Sequence, residues 1–192
     1  MKKDKAIDTV KKQLTRERFE HTLRVAETGI HLAKLYDASE EKTELAAILH
    51  DYAKYREPEE MARWIKTTGT LPKDLLNYHH ELWHGPVGAV LVERECGIKD
   101  KDILSAIHYH TTGKGKMSKL EMIIFLADYI EPKRNFPGVE EVREMAETDL
   151  LRACWMTARN TCMFLIQKEA TVYPDTFHAY NDLTNRLNGG NL

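Results

Sequence analysis

SKLEMIIFLADYIEP, residues 118–132, decides the fold. Ser118 and Glu121 have the spacing of a capping box, in which the hydroxyl takes the amide three residues on and the carboxylate reaches back to the cap amide. A helix is therefore predicted over the residues that follow. Glu131-Pro132 ends it, because a residue before proline is pushed out of the α region. The apolar run MIIFLA is far too short to span a bilayer. Asp128 closes the longer run MIIFLADYI, where an unpaired carboxylate would be costly.

Outward from this stretch the pattern is helix after helix. Residues 16–36 place Phe19, Leu23, Ala26, Ile30 and Ala33 on one helical face. Ser39 is an N-cap for the next helix, which carries TELAAILHDYAKY (43–55). Pro58 suits the first turn of PEEMARWIK. A short segment opens at Leu71-Pro72. HGPVGAVLVEREC (84–96) stops at Gly97, a good helix end. DKDILSAIHYH (100–110) runs into the basic loop TTGKGK. Beyond 132, the loop KRNFPG leads to VEEVREMA (139–146), a long helix DLLRACWMTARNTCMFLIQKEA (149–170), and a last helix PDTFHAYNDLTNRLN before NGGNL. No window alternates as a strand does. With no repeat and no linker, residues 1–192 are expected to form one all-α domain.

Six residues on these helices can bind metal: His21, the pair His50-Asp51, His84, His110 and Asp128. Imidazole with carboxylate suits first-row transition metals, and six ligands exceed what one ordinary catalytic ion uses. The arithmetic points to two ions sharing a ligand, equipment for phosphoester or phosphoanhydride hydrolysis. Adjacent helical residues point about 100° apart, so His50 and Asp51 can straddle a pocket edge, with Asp51 offering two oxygens to two ions. His84 starts its helix, where Gly85-Pro86 leaves an open approach, and His110 ends its own. Each of these residues alone has an ordinary structural reading; the full ordered set carries the signal.

Composition bounds the rest. The 192 residues are 42% hydrophobic and 30% charged, with a formal charge of -2. That is an ordinary globular balance. Bulk charge gives no reason to expect a nucleic-acid partner, so local basic groups must bind any phosphate. The start, MKKDKAIDTVKKQL, has lysines but no apolar signal core. Cys96, Cys154 and Cys162 are odd in number and form no CxxC, which reads as incidental thiols in a reducing cytosol. A cytoplasmic protein without a membrane partner is expected.

The stretches RFEHTLRVAETGIHLAKLY, AAILHDYAK, HGPVGAVL, AIHYHTTG, FLADYIEPKRNFPG and AYNDL together resemble the HD-domain superfamily of metal-dependent phosphohydrolases. They are most similar to its YqeK-type branch of symmetrical dinucleoside tetraphosphatases. The likeness extends over residues 16–185, and no ligand of the pattern is missing. It implies an all-α HD-domain helical bundle around a dinuclear metal site. It implies a substrate, diadenosine tetraphosphate, cut into two ADP by a bridging water that two ions have acidified. It implies iron or a similar metal; Mn, Co, Ni and Zn can use the same ligands. It places His21, His50, Asp51 and Asp128 on one ion, and His84, His110 and a shared Asp51 on the other. An HD-type nucleotidase, a guanosine tetraphosphate hydrolase and a non-catalytic nucleotide-sensing module remain open. So does assembly as a homodimer.

Substrate contacts are less sharply marked. Arg18 shares a helix face with His21 and is either a phosphate fork or a solvated surface residue. Asp51 also stands to position the water. Lys54, three residues after Asp51 on the same helix side, is a candidate catalytic cation facing a phosphate oxygen, or a solvated lysine. Thr111 and Thr112, with the Gly113 amide, follow a ligand and offer phosphate contacts or plain loop chemistry. Arg134 is preferred over Lys133 in the loop past Asp128. Tyr173 either stacks on a base or packs. His31, His79, His80 and His108 are set aside: His108 is about 200° round the helix from His110, and His31 about 15 Å along the helix from His21. Trp64, Trp83 and Trp155 read as packing.

Overall fold

The computed structural model describes residues 1–189. Among these the chain forms ten α-helices and no strands: α1 (Lys3–Lys11), α2 (Arg16–Leu35), α3 (Glu40–Leu49), α4 (Pro58–Thr67), α5 (His84–Cys96), α6 (Lys101–Tyr109), α7 (Lys119–Ile130), α8 (Val139–Ala146), α9 (Leu150–Gln167) and α10 (Pro174–Leu187). Two short 3-10 segments, Lys73–Asn77 and His80–Leu82, fill the connection between α4 and α5. The last residues of the NGGNL tail lie outside the described residues.

The stretch that decided the fold is its axis. The Ser118–Glu121 capping box is present in both directions. Ile123, Ile124, Leu126 and Ala127 of α7 have no exposed surface. The helix touches α2, α3, α6, α8 and α9, so every face has a neighbour. Burying an isoleucine or leucine side chain contributes about 1.5–3 kcal/mol, and α7 brings several such side chains to one place. One contiguous core runs from Ala6 on α1 to Leu183 on α10.

Expected helix signals recur at Ser39, Pro58 and Gly97, the last with φ of 71°. Three expectations need correction. First, the helical fold begins before residue 16: α1 forms over Lys3–Lys11 and docks through the buried Ala6 and Val10. Second, the buried face of α2 is Thr22, Val25, Ala26, Gly29, Leu32 and Ala33, whereas Phe19, Leu23 and Ile30 are only half-buried. Small residues win because α2 and α3 pack closely: a Cβ on Gly29 would stand 3.1 Å from Thr43 Cγ2. Third, α3 stops at Leu49 and residues 50–55 form tightening turns, with Tyr52 N–H donating to Leu49 O and Lys54 N–H to Asp51 O. Asp51 and Lys54 therefore do not share an α-helical face.

Candidate metal centre

Helix ends supply most of the site. His50 follows the last residue of α3, His84 opens α5 and His110 follows the last residue of α6. His21 comes from within α2 and Asp128 from near the end of α7. Side chains at helix ends can meet at a point that packed helix middles would keep apart. The α5–α6 approach depends on Gly85, where a Cβ would stand 2.7 Å from the His108 carbonyl oxygen and 3.5 Å from His110 Cε1.

Asp51 is at the centre, with no exposed surface. One oxygen, Oδ2, lies 2.9 Å from His50 Nε2 and 3.8 Å from His21 Nε2. The other, Oδ1, lies 3.2 Å from His84 Nε2 and 3.9 Å from His110 Nε2. Asp128 Oδ1 stands 3.1 Å from His21 Nε2. Two ligand atoms that each sit ~2.1 Å from one ion are at most ~4.2 Å apart, and all five separations meet that limit. The groups that converge tightly enough for an ion are His21 with His50 and Asp51, His50 with His110 and Asp128, and Asp51 with His84 and His110.

The imidazole tautomers test the fit independently. His50 Nδ1–H donates to Ala47 O at 2.6 Å, His84 Nδ1–H to Glu81 O at 2.6 Å and His110 Nδ1–H to Ile107 O at 2.7 Å. A carbonyl can only accept, so each Nδ1 carries a proton and each ring turns its Nε2 inward. Burial, with His84 and His50 nearby, pulls the His110 pKa down to about 3, so that ring is neutral. Its Nε2 nevertheless lies 3.0 Å from His84 Nε2. Two lone pairs at that distance repel unless a cation or a proton lies between them. His21 Nε2, His50 Nε2 and Asp51 Oδ1 are buried without a hydrogen-bond partner. The donor set and these orphaned atoms fit divalent metal.

Charged groups brace the His21 side. His21 Nδ1 meets Glu131 Oε1 at 3.1 Å, and Glu131 takes Arg24 Nε–H at 2.6 Å and the Lys133 amide at 2.9 Å. Burial alone would raise the Glu131 pKa; Arg24, the Lys133 amide and His21 outweigh it and hold the pKa at about 2. Arg18 donates through Nε to Asp51 Oδ2. Arg134 donates through Nη2 to Asp128 Oδ1 at 2.6 Å and through Nε to Asp128 O at 2.9 Å. Burial opposes ionisation of both aspartates, yet their pKa values lie well below normal because imidazoles face them and Arg134 pairs with Asp128. Neither Glu131 nor Arg24 was singled out in the sequence. The available signal was an acidic residue one turn past Asp128, which had been read only as the residue before Pro132.

The predicted substrate contacts divide. Arg18 and Arg134 reach the cluster, as above. Lys54 points beside His84, paired with Glu81 at 2.6 Å. Thr111 lines a cleft next to His110, and its hydroxyl has no partner. Thr112 is buried and its hydroxyl donates to Gly113 O at 2.9 Å. The Gly113 amide donates to Tyr109 O at 2.8 Å, so it is not a free anion contact. Tyr173 is 6% exposed, edge-on to Tyr78 at 4.9 Å; its ring packs and has no open face to offer a base. His31 pairs with Glu147 on an exposed face, His79 and His80 are exposed on the α4–α5 connection, and His108 turns away from the cluster. The three cysteines are free, and among the described residues no helix is long and apolar enough to cross a membrane.

Comparison with known proteins bears on the same residues. The HD domain family matches residues 18–133, which span all six clustered side chains. A Bacillus subtilis protein named bis(5'-nucleosyl)-tetraphosphatase, symmetrical, is 51% identical over 94% of this chain and 97% of its own. One of the same name from Halalkalibacterium halodurans is 52% identical over 95% and 97%. A crystal structure from Clostridium acetobutylicum, described as a predicted HD superfamily hydrolase involved in NAD metabolism, superposes with a TM-score of 0.91 at 38% identity, covering 97% of this chain and 98% of that one. The chain belongs to the HD domain family of metal-dependent hydrolases.

Proposed function

We propose that the protein is a symmetrical bis(5'-nucleosyl)-tetraphosphatase that cuts diadenosine tetraphosphate into two ADP. The observation that carries this reading is the position of Asp51, with one carboxylate oxygen turned to His21 and His50 and the other to His84 and His110. The names of relatives about half identical over nearly the whole chain supply the substrate class.

His21, His50, Asp51 and Asp128 would hold one divalent ion, and Asp51, His84 and His110 a second; iron is our choice among Fe, Mn, Co, Ni and Zn. Bound there, the ions would supply Lewis-acid charge, acidifying a water nucleophile and neutralising phosphoryl oxygens. The chain's own contribution is placement. Asp51 fixes the line along which the nucleophile and the central phosphates meet. Arg18 and Arg134 each use Nε and at most one Nη toward the aspartates, which leaves guanidinium donors for equatorial phosphate oxygens. Lys54, held by Glu81, neutralises charge on the His84 side. The unpaired Thr111 hydroxyl donates to a phosphate beside His110, while Thr112 and Tyr173 support the wall behind it. We place the reaction in the reducing cytosol, in keeping with three free thiols.

The test is product analysis. Protein loaded with Fe(II), Mn(II) or Co(II) and given diadenosine tetraphosphate should yield ADP alone, and chelation should stop it. AMP plus ATP would contradict symmetrical cleavage. No turnover with any of the metals would contradict the substrate, and mononucleotides and guanosine tetraphosphate would then be assayed.

A further inference from the structure

A substrate with two identical halves raises a question that the cavities around the metal centre answer. Cleavage at the middle of a tetraphosphate places the central phosphates at Asp51, and a nucleoside must leave in each of two directions. Two equivalent nucleoside sites would need two similar arms. The two larger cavities that reach the ligands are unlike.

The larger is a cleft of about 590 Å³ reaching His110 and Asp128, walled by Tyr129, Phe136, Pro137 and Phe164. The smaller, about 420 Å³, reaches His21 and is lined by Arg18, Arg24, Lys133 and Arg134, with Glu17, Glu20, Glu131 and Tyr55 at its sides. Arg134 borders both, so one extended chain passing that residue has an end in each.

Their chemistry differs in kind. In the larger cleft the hydroxyls of Thr157 and Thr161 are bonded to carbonyls of their own helix, at 3.0 and 2.9 Å. Beyond the ligands, Arg134 and Thr111, the Tyr129 hydroxyl and the amides of Asn160 and Gln167 remain as its polar groups. Asn160 Oδ1 accepts from Arg159 at 2.9 and 3.1 Å, and the Asn160 amino group stands beside the Tyr129 hydroxyl, so that the two present one polar edge. Phe164 and Met163 are 58% and 51% exposed at this cleft. A flat aromatic face with a few amide groups is what a purine needs: stacking on one surface and hydrogen bonds at one edge. The smaller arm has four cationic side chains against three carboxylates, with Tyr55 as its one aromatic besides the ligand His21, a charged lining that suits phosphate and sugar and gives a base little apolar surface.

We infer that the two halves of the substrate occupy unlike sites, and that only the nucleoside in the α7–α9 cleft is recognised, by Phe164, Asn160 and the Tyr129–Phe136 wall. This rests on the tetraphosphatase reading. It follows that one nucleoside is enough. Adenosine 5'-tetraphosphate is hydrolysed between its β and γ phosphates: water oxygen bonds to one phosphorus, the bridging oxygen leaves with the other, and the products are ADP and pyrophosphate.

The experiment compares diadenosine tetraphosphate and adenosine 5'-tetraphosphate as substrates of the metal-loaded protein, wild type, Phe164→Ala and Asn160→Ala. ADP binding by calorimetry and oligomeric state by light scattering are measured alongside. The expected result is ADP plus pyrophosphate from the mononucleotide, at a kcat/KM within about tenfold of the dinucleotide. Each variant should raise KM for both substrates by about tenfold with little change in kcat, and weaken ADP binding in step. A mononucleotide cleaved more than about a hundredfold less efficiently shows that both nucleosides are read and overturns the inference. Unchanged KM and ADP affinity also overturn it, and if Phe164→Ala then alters the oligomeric state, the cleft mouth is an interface between copies. Failure to cleave the dinucleotide overturns the proposed function instead, while ADP affinity in the variants still decides what the cleft binds.

Discussion

The two sides of the metal centre are built by different means. On the His21 side the Ala47 carbonyl holds His50, but the rest of the bracing is by charged side chains: Glu131 behind His21, Arg24 behind Glu131, Arg18 on Asp51 and Arg134 on Asp128. On the His84–His110 side it is main chain: the Glu81 and Ile107 carbonyls fix the rings, and the bare Cα of Gly85 lets the two helix ends close. A site made of backbone is rigid but intolerant of added volume. A site made of ion pairs tolerates volume but depends on every charge having its partner. The two sides should therefore fail separately and in different ways.

The largest effect is expected where the sides join. Asp51→Asn keeps the shape and removes the charge shared by both sides. Turnover should fall on the order of 10³-fold or more, with helical circular dichroism retained. Retained activity would mean that Asp51 does not link the sides. Gly85→Ala comes next. Its methyl has to displace the His108 carbonyl, at a cost of about 1–3 kcal/mol, and it should empty the His84–His110 side. Elemental analysis should then give one metal per chain in place of two. Glu131→Gln is the matched perturbation of the other side: it keeps a hydrogen-bond acceptor for His21 and removes the negative charge. Metal affinity there should weaken by about 10–100-fold, visible in a competition titration with a chelator, while the second ion is held as before. If both variants lower both occupancies equally, the sides are not independent.

The smallest effect is expected at Glu121, which braces α7 away from both sides. It accepts from Ser105, from the Ser118 amide at 2.6 Å and from Lys114 at 3.0 Å. Burial opposes its ionisation, but these partners win and its pKa is lowered from 4.5. A carboxyl with a depressed folded pKa adds stability that is fully present above about pH 4.5 and disappears as pH falls through the lower, folded value. Glu121→Gln should cost about 1 kcal/mol at pH 7, a melting shift of ~2–4 °C, and flatten the acid side of the stability profile. Metal content should not change.

The ligand side chains were legible because the six residues are chemically distinctive and all but His21 sit at or near helix ends, which caps, glycines and prolines mark in sequence. Their bracing was not legible. Of the four Nδ1 partners, one is a carboxylate, Glu131, that takes no part in any ligand pattern, and three are backbone carbonyls, at Ala47, Glu81 and Ile107, which no side chain reveals. The α2 face was misread because apolar bulk points to Phe19 and Ile30, while close helix packing selects Gly29 and Thr22. Asp51 and Lys54 were put on one helical face because nothing local signals the tightening after Leu49. Tyr173 was a candidate for base stacking because only tertiary structure sets Tyr78 against its ring.

The most direct measurement is anomalous diffraction from crystals grown with Mn(II). Two peaks should flank the Asp51 carboxylate, about 3.5–4 Å apart, one among His21, His50 and Asp128 and the other between His84 and His110. A single peak, or two peaks that do not share Asp51, would contradict a centre in which one carboxylate joins two ions.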